Sequence, residues 1–309
     1  MKDIKNILVC GGGMMGKGIA NVLSAREDLS VTVYDMVESP FLEGLEATFH
    51  QLVEHGVLTE AEVKKRVSKV RFITDLNSEY VKHADLVIEC VFEKLEIKRI
   101  LFEKLEHICS KDTIFCTNTS VISPTEIAAN LTYKNRLVGT HFWNPAFLIP
   151  LVEVIKSEAT DEEIATQTME FLSSLGKRPV LCKKDVPGFI ANRMQHALWR
   201  EAIHIVEEGI ADAATVDEAV RYSFGLRLPQ LGPMENVDMV GTDLTYNIHE
   251  YIFSHLCNDC KPSPLLAEHL DKGELGFKSG TGFQTWSPEQ VASSKNNLNE
   301  YLIKMIYNK

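Results

Sequence analysis

The sequence predicts an α/β protein, with a Rossmann-type dinucleotide-binding domain followed by an all-helical C-terminal domain. Short apolar runs alternate with helical patterns through the first half of the chain, which is typical of βαβ units and a parallel sheet. A glycine-rich turn follows the first apolar run at residues 11–16. Strand patterns end near Pro187, and helix-period segments dominate after it. We therefore expect a first domain over residues 1–186 and a second over residues 187–309.

Length and composition support two folded domains. The 309 residues exceed what a single hydrophobic core usually organises, which is roughly 250–300 residues. Hydrophobic residues make up 45% of the chain and charged residues 24%, so enough apolar surface exists to offset the entropy lost on ordering. The formal net charge of −11 argues against a nucleic-acid partner, which requires a basic surface.

The sequence also bears on the cellular setting. No apolar run reaches the ~18 residues that a membrane span requires. The polar first residues and the glycines after them are not typical of a signal peptide. The seven cysteines are odd in number and show no framework spacing, and Cys257 and Cys260 form a CxxC without a second pair of ligands. We expect a reduced, cytoplasmic setting, no membrane partner and no metal.

The individual elements are predicted from periodicity and capping signals. The strands are expected at residues 7–9, 31–34, 71–73, 86–90, 113–116, 137–141, 151–155 and 180–182. Helices are expected at residues 15–25 and 40–55, and after pairs of capping residues at Thr59 with Glu62 and at Ser123 with Glu126. In the second domain, helices are expected at residues 189–208, 215–222, 235–253 and 264–272.

The turn Gly11-Gly12-Gly13-Met14-Met15-Gly16 fits the pattern G-x-G-x-x-G, which binds dinucleotides when it joins a strand to a helix. The first glycine permits the tight turn, the second lets the backbone approach a pyrophosphate, and the third lets helix and strand pack closely. The free N–H groups at the start of the helix attract the phosphates. Because this turn follows an apolar strand, we predict a bound dinucleotide.

An acidic residue, Asp35, ends the second predicted strand and indicates which dinucleotide is bound. Its carboxylate can accept hydrogen bonds from a ribose 2′-OH. NADP would place a phosphate beside Asp35, with Glu38 nearby. Like charges about 4 Å apart cost roughly 1–4 kcal/mol at intermediate to high dielectric. The sequence therefore predicts NAD as the cofactor.

Several motifs in order then indicate a family. They are Asn118-Thr119-Ser120, GTHFWNP at residues 139–145, LVEVI at 151–155, PGFIANR at 187–193, LGPME at 231–235 and GFKSGTGF at 276–283. Taken together, the chain resembles the 3-hydroxyacyl-CoA dehydrogenase family over nearly its whole length. The resemblance implies an NAD-dependent dehydrogenase that forms a homodimer through its helical domain.

The resemblance also implies the catalytic residues Ser120, His141, Glu153 and Asn192. A histidine can take the hydroxyl proton of a secondary alcohol at neutral pH. Glu153 would orient that imidazole and stabilise its charged form. Ser120 would hydrogen-bond the reacting oxygen, and Asn192 would position the substrate. A carboxylate inside an apolar strand is costly unless it is paired, so a purely structural role is harder to assign to Glu153 than to the other three residues.

The cofactor contacts that the resemblance implies lie outside the glycine turn. They are Glu93, Lys98, Ser120, Asn144 and Lys278. Considered alone, Glu93 and Lys98 would be read as a solvated helix start. Met234, Met239, Tyr246 and Tyr251 recur at helical spacing, and we interpret them as core or subunit-contact residues rather than a ligand site.

The chain departs from the family pattern where acyl-CoA members carry lysines. The helix after the second strand usually meets the CoA phosphates with lysines, whereas the matching positions here are Gln51 and His55. The lysine that often precedes the Leu-Val-Glu run is replaced by Pro150, as in relatives that act on free acids, such as L-gulonate 3-dehydrogenase (λ-crystallin).

Three functional hypotheses remain open on the sequence. The first is oxidation of an L-3-hydroxyacyl-CoA by NAD, with His141 as general base. The second is the same hydride chemistry on a CoA-free hydroxy acid or aldehyde. The third is a non-catalytic, crystallin-like NAD-binding protein, which the complete set of catalytic residues disfavours.

Overall fold

A computed structural model describes residues 3–308 of the chain. The chain divides into two compact units. Unit 1 comprises the described residues of Met1–Asn192 and Asn297–Lys309, and unit 2 comprises Arg193–Asn296. The division falls a few residues after the expected boundary at Pro187. The last residues of the chain belong to unit 1, whereas the sequence had assigned all of residues 187–309 to the second domain.

Unit 1 is built on one eight-stranded sheet, which confirms the eight predicted strands. The strands are β1 (Asn6–Cys10), β2 (Ser30–Tyr34), β3 (Val70–Ile73), β4 (Leu86–Glu89), β5 (Ile114–Thr117), β6 (Leu137–Phe142), β7 (Leu151–Lys156) and β8 (Arg178–Cys182). Their order is β3-β2-β1-β4-β5-β6-β7-β8. The chain reverses direction across the sheet between β3 and β4, so the carboxyl ends of β1 and β4 flank a crevice where such sheets bind ligands.

One strand pair departs from the expected parallel arrangement: β6 and β7 are antiparallel. Only the eight residues 143–150 join them. A parallel pair needs a crossover of about a dozen residues or more, so this short connection permits only the antiparallel pairing. In the resulting register His141 lies directly opposite Glu153.

The helices of unit 1 cover both faces of the sheet. They are α1 (Met14–Ser24), α2 (Phe41–Ala47), α3 (His50–Glu54), α4 (Glu60–Val67), α5 (Glu79–Lys82), α6 (Leu95–Ile108), α7 (Pro124–Ile127) and α8 (Glu162–Ser174). The capping box predicted at Thr59 and Glu62 is present at the start of α4. Ser123 caps α7 as predicted, although α7 is a single turn. The helix predicted over residues 40–55 is divided at Thr48 and Phe49 into α2 and α3.

Two hydrophobic layers hold these elements together, one on each face of the sheet. One contains Val9, Ile19 and Phe41, and the other contains Leu8, Phe102 and Phe115, all of them at most 1% exposed. Neighbouring residues of β1 thus point into opposite layers, as the alternation of a strand requires. The core fixes the carboxyl ends of the strands, where the candidate site lies.

The remaining helices are α9 (Ala191–Glu207), α10 (Ala213–Arg221), α11 (Phe224–Arg227), α12 (Pro233–Val240), α13 (Thr242–Ile252), α14 (Pro264–Asp271) and α15 (Pro288–Tyr307). Unit 2 contains no strand among its described residues, as predicted for the second domain. The helix expected over residues 235–253 is interrupted by Gly241, whose φ of +102° breaks the helical path. Helix α15 was not predicted from the sequence. Its residue Ile303 is fully buried in the core of unit 1.

Candidate active site

The glycine-rich turn has the backbone geometry that a dinucleotide site needs. Gly11 adopts a φ of +112°, which favours glycine, and a Cβ there would approach the carbonyl oxygen of Cys90 to 2.7 Å. A Cβ on Gly16 would lie 1.9 Å from the carbonyl oxygen of Gly11, so the helix packs closely on the turn. Nothing lies within 4 Å of a Cβ built on Gly13, which leaves open space where the backbone would approach a phosphate.

Asp35, the residue that follows β2, contacts this turn. The Gly12 amide donates a 2.7 Å hydrogen bond to one carboxylate oxygen of Asp35. The Met14 side chain, next along the turn, is exposed, and Met15 is half-buried. The residues present therefore fit NAD: an open glycine at the start of α1 for the pyrophosphate, and a fixed carboxylate for a ribose hydroxyl. No basic residue forms an ion pair with Asp35 in the described chain.

A buried charge network follows β4. The Lys98 ammonium lies 2.7 Å from Glu89 and 3.1 Å from Glu93. Lys98 and Glu89 are both completely buried, and Glu89 also accepts a hydrogen bond from the Thr117 hydroxyl. The Lys98 side chain exposes no surface, so the geometry gives no support to a direct contact with the cofactor, which remains a prediction. Lys98 instead fixes the carboxylate of Glu93.

Glu93 in turn holds the turn that carries Ser120. One oxygen of its carboxylate accepts hydrogen bonds from the Ser120 amide at 2.8 Å and from the Val121 amide at 3.2 Å, as well as from the Thr119 hydroxyl. Burial acts to raise the pKa of Glu93, but Lys98 and these donors outweigh it and hold the pKa below its usual value. An ionised Glu93 thus connects the buried lysine to the Ser120 turn.

Ser120 and Asn192 lie together in the structure. The Asn192 side-chain amide donates a 3.2 Å hydrogen bond to the Ser120 carbonyl oxygen. Nearby, the side chain of Asn118 accepts a 2.8 Å hydrogen bond from the Phe142 amide, which ties the residues after β5 to the end of β6. Asn118 was part of a recognised motif, but nothing in the sequence indicated this structural function.

The other two candidate catalytic residues, His141 and Glu153, form a buried pair. His141 Nδ1 lies 2.9 Å from Glu153 Oε2, and the two side chains are 7% and 0% exposed. The Trp143 indole N–H donates to the same carboxylate oxygen at 3.2 Å. The pairing of Nδ1 with a carboxylate leaves Nε2 as the nitrogen for proton transfer, the arrangement in which an imidazole serves as an oriented base.

The other oxygen of Glu153 receives two backbone donors, the amides of Ile190 and Ala191, at 2.8 and 2.9 Å. The residue just before them, Phe189, has a φ of +50°, which is unusual for a bulky side chain. Phe189 is 1% exposed and its ring lies 5.8 Å from the His141 ring, so packing holds this strained conformation. No sequence pattern indicated these two donors, because the direction of a backbone N–H group is not encoded in residue type.

Electrostatics favour an ionised Glu153. Burial by itself raises the pKa of this carboxyl group, since it disfavours the charged form. The hydrogen bonds from His141, from the amides of Ala191 and Ile190 and from Trp143 outweigh that effect and lower the pKa below its usual value. The carboxylate is therefore a fixed negative charge against the imidazole.

The two remaining candidate residues have no described contact with this site. Asn144 is exposed and begins the cis Asn144–Pro145 peptide bond in the connection between β6 and β7. Lys278 belongs to unit 2, in the turn segment between α14 and α15. Their expected contacts with the cofactor remain predictions.

No group of three or more His, Cys, Asp or Glu side chains within residues 3–308 is arranged to hold a metal ion. Cys257 and Cys260 are both free thiols. No helix in the same residues combines the length and the apolar character that crossing a membrane requires.

Comparison with known proteins supplies an independent view of the chain. Residues 6–186 match a family model for the NAD-binding domain of 3-hydroxyacyl-CoA dehydrogenase, and residues 188–286 match the model for its C-terminal domain. The expected boundary at Pro187 falls between the two matched ranges, and all of α15 lies beyond the second.

Individual relatives agree with the family match and differ in substrate. A probable 3-hydroxybutyryl-CoA dehydrogenase of Bacillus subtilis is 38% identical over 285 residues, which cover 91% of this chain and 97% of the relative. A 5-formyl-3-hydroxy-2-methylpyridine 4-carboxylate 5-dehydrogenase of Mesorhizobium japonicum is 35% identical over 288 residues, 93% of each chain. A crystal structure of an enzyme of the latter activity, described as an NAD⁺-dependent dismutase, superposes with a TM-score of 0.88 at 32% identity, covering 98% of this chain and 97% of the other.

Proposed function

The chain belongs to the 3-hydroxyacyl-CoA dehydrogenase family and is an NAD-dependent oxidoreductase, and from this we propose that it oxidises a 3-hydroxy group to a 3-keto group with His141 as the general base. The observation that carries the proposal is the buried pair of His141 and Glu153, 2.9 Å apart. A carboxylate buried this deeply is costly unless hydrogen-bond donors compensate its charge. The carboxylate of this pair is compensated by three further donors, whereas the imidazole keeps one nitrogen for a substrate.

His141 moves the proton in this mechanism. The substrate hydroxyl donates its hydrogen bond to Nε2 of His141 and transfers its proton there as the carbon is oxidised. NAD bound at the glycine turn would supply the acceptor for the hydride that leaves the same carbon. Glu153 stabilises the imidazolium that forms, because its negative charge and its contact with Nδ1 are already in place before the reaction. In the reverse direction the imidazolium returns the proton to the substrate oxygen.

Ser120 and Asn192 orient the substrate in this proposal. The Ser120 hydroxyl hydrogen-bonds the reacting oxygen, and the Asn192 amide is directed by its contact with the Ser120 carbonyl. Glu93 and Lys98 act by holding the Ser120 turn, so Lys98 contributes to cofactor binding only through Glu93. Asn144 and Lys278 complete the proposed cofactor contacts.

The substrate is an L-3-hydroxyacyl-CoA or a CoA-free hydroxy acid or aldehyde. The Bacillus relative acts on a CoA ester by its name, and the Mesorhizobium relative acts on a pyridine carboxylate by its name. Turnover with acetoacetyl-CoA and with free acetoacetate, each followed as NADH oxidation at 340 nm, separates these candidates. A role in fatty acid metabolism and a cytoplasmic setting belong to the same proposal, and subcellular fractionation tests the latter.

The direct test of the mechanism is His141→Ala. We expect a loss of at least ~10²-fold in turnover, the lower end of the range for a general base, with NADH affinity unchanged. Near-normal turnover would remove His141 from the mechanism. Substitution of His107, which lies on α6 and outside the site, is the matched control and should leave turnover unchanged. The absence of turnover on every substrate, in wild type as in the variant, would favour a non-catalytic NAD-binding protein.

We further propose that the protein is a homodimer that associates through unit 2. Four apolar residues that the sequence assigned to the core or to a subunit contact are strongly exposed in the single chain: Met234, Met239, Tyr246 and Tyr251, at 71, 70, 62 and 75%. These four residues are therefore not part of the core of this chain. Burial against a second copy would remove them from water. Light scattering coupled to size-exclusion chromatography should give about twice the 34.7 kDa of one chain, and a monomer would refute the proposal.

A further inference from the structure

A second feature of unit 1 is a cavity beside the residues expected to contact the cofactor. Its volume is about 250 Å³, slightly below the roughly 300–1,000 Å³ of sites for drug-sized ligands, and it adjoins the candidate cofactor residue Asn144. It is lined by Met14, Lys17, Gly18, Thr48, Asn144, Pro145, Ala146 and Phe147. These residues come from α1, from the end of α2 and from the connection between β6 and β7. None of the catalytic residues discussed above lines it.

Lys17 is the charged residue of this cavity. It is half-buried and forms no ion pair with any residue in the described range 3–308. The polar neighbour Thr48 is already engaged, since its hydroxyl donates to the Leu45 carbonyl and accepts from the Asn21 amide. A cation in a cavity without a carboxylate to neutralise it is suited to binding an anionic ligand group.

The position of the Lys17 side chain explains a glycine in the interior of α2. A Cβ built on Gly44 would lie 2.6 Å from Lys17 Nζ and 2.8 Å from Cε. Glycine weakens a helix interior, so Gly44 works against the stability of α2. Its effect is to give the lysine side chain room against the helix, which places the ammonium group beside the cavity.

We propose that Lys17 binds the carboxylate of a CoA-free 3-hydroxy or 3-keto acid in this cavity. The inference rests on the proposed function and names its substrate class. A single cation matches a single carboxylate, whereas the several phosphates of CoA call for several basic side chains. Lys17 would thus hold the substrate at its acid group.

The surroundings of the cavity disfavour CoA. Residues 41–63, which form α2, α3 and the start of α4, contain no lysine or arginine and five glutamates, Glu43, Glu46, Glu54, Glu60 and Glu62. The C-terminal helix α15 also contacts this surface, because the Asn299 side chain donates a 2.8 Å hydrogen bond to Gln51. Buried Ile303, on the same helix, anchors α15 in the core of unit 1.

The test compares four forms of the full-length protein: wild type, Lys17→Gln, Lys17→Arg and Gly44→Ala. The substrates are acetoacetate and acetoacetyl-CoA, followed as NADH oxidation, and the Kd of NADH is measured by fluorescence. Binding of acetoacetate to the NAD-saturated protein is measured by calorimetry, which needs no turnover. Exposed Lys104 on α6 provides the control, because Lys104→Gln removes the same charge outside the cavity.

We expect wild type to prefer acetoacetate over acetoacetyl-CoA in kcat/KM. Lys17→Gln should raise the KM and the calorimetric Kd for acetoacetate at least about tenfold, the size expected for the loss of a charge-assisted hydrogen bond, with kcat and the Kd of NADH changed much less. Lys17→Arg should restore most of the affinity. Gly44→Ala should weaken acetoacetate binding without lowering Tm, since the new methyl group displaces only the flexible end of Lys17. Lys104→Gln should match wild type.

Three results would overturn the inference. The first is a Kd for acetoacetate that Lys17→Gln leaves unchanged. The second is an equal loss of affinity for NADH in Lys17→Gln, which would assign Lys17 to a cofactor phosphate. The third is a preference of the wild type for acetoacetyl-CoA. None of these three results contradicts the proposed hydride transfer. Conversely, Lys17-dependent binding of acetoacetate without any turnover would support the inference and refute the proposed function.

Discussion

His141 and Glu153 lie directly opposite each other on the antiparallel strands β6 and β7, and their side chains are joined by a 2.9 Å contact from Nδ1 to Oε2. The strand register therefore places the imidazole against the carboxylate. Opposite residues of an antiparallel pair are close enough for their side chains to interact without help from a loop. The pair is thus held by two paired strands of the central sheet.

The first prediction concerns the charge of Glu153. In Glu153→Gln the hydrogen bond to Nδ1 can persist, but the negative charge that stabilises the imidazolium is lost. We expect turnover to fall by ~10²-fold or more, the range associated with loss of acid–base assistance, while NADH affinity is retained. Steady-state kinetics and NADH fluorescence measure the two quantities. A variant with wild-type turnover would show that the imidazole does not need the carboxylate charge.

A second prediction concerns the choice of cofactor. Asp35 holds the Gly12 amide at 2.7 Å and presents the carboxylate that would repel a 2′-phosphate. Asp35→Ala should lower the preference for NADH over NADPH, because both the ribose contact and the repulsion disappear. The ratio of kcat/KM values for the two cofactors is the measurement. Glu163→Ala is a matched control at an exposed acidic residue on α8, and an unchanged ratio in Asp35→Ala would refute the role of Asp35.

A third prediction separates two glycines of the same turn. A Cβ at Gly16 would lie 1.9 Å from the Gly11 carbonyl oxygen, whereas a Cβ at Gly13 would meet nothing within 4 Å. Gly16→Ala should therefore lower Tm, because backbone must move to accept the methyl group. Gly13→Ala should leave Tm unchanged and weaken NADH binding, because the methyl group enters the space open to the pyrophosphate. Thermal unfolding and NADH fluorescence distinguish the two, and similar effects on Tm would contradict this reading of the turn.

A fourth prediction concerns the buried residue Lys177. Its ammonium donates hydrogen bonds to the Ala146 and Ile149 carbonyls, and burial lowers its pKa from 10.5 to about 8. Between those two pH values the unfolded chain binds the proton more strongly than the folded protein, so the Lys177 contribution to stability rises with pH. It is fully present above the unfolded pKa and is lost as the pH falls through about 8.

Lys177→Met tests this linkage. The free energy of unfolding of wild type, relative to the variant, should increase from pH 8 towards pH 10 by up to about 3 kcal/mol, because each pKa unit corresponds to about 1.4 kcal/mol. Denaturant titrations at several pH values measure the difference. A difference that is constant over this range would mean that Lys177 does not titrate there, whatever the overall loss of stability on substitution.

Several features of the protein were determined by the sequence alone. The apolar runs predicted all eight strands, because short clusters of β-branched and apolar residues bounded by turn residues favour the strand conformation. The glycine turn and Asp35 were read correctly as neighbours, since the carboxyl ends of adjacent parallel strands meet at one edge of the sheet. The motifs around Ser120, His141, Glu153 and Asn192 identified the family, which the comparisons show independently.

The tertiary structure alone decided the rest, because it depends on distances between residues far apart in the chain. The sequence did not show that Lys98 is completely buried against Glu89, or that α15 returns to the core of unit 1. It did not show that strained Phe189 directs two amides at Glu153, since φ is fixed by packing and not by residue type. Nor could it place Lys17 over Gly44, a contact that exists only once α1 and α2 have packed together.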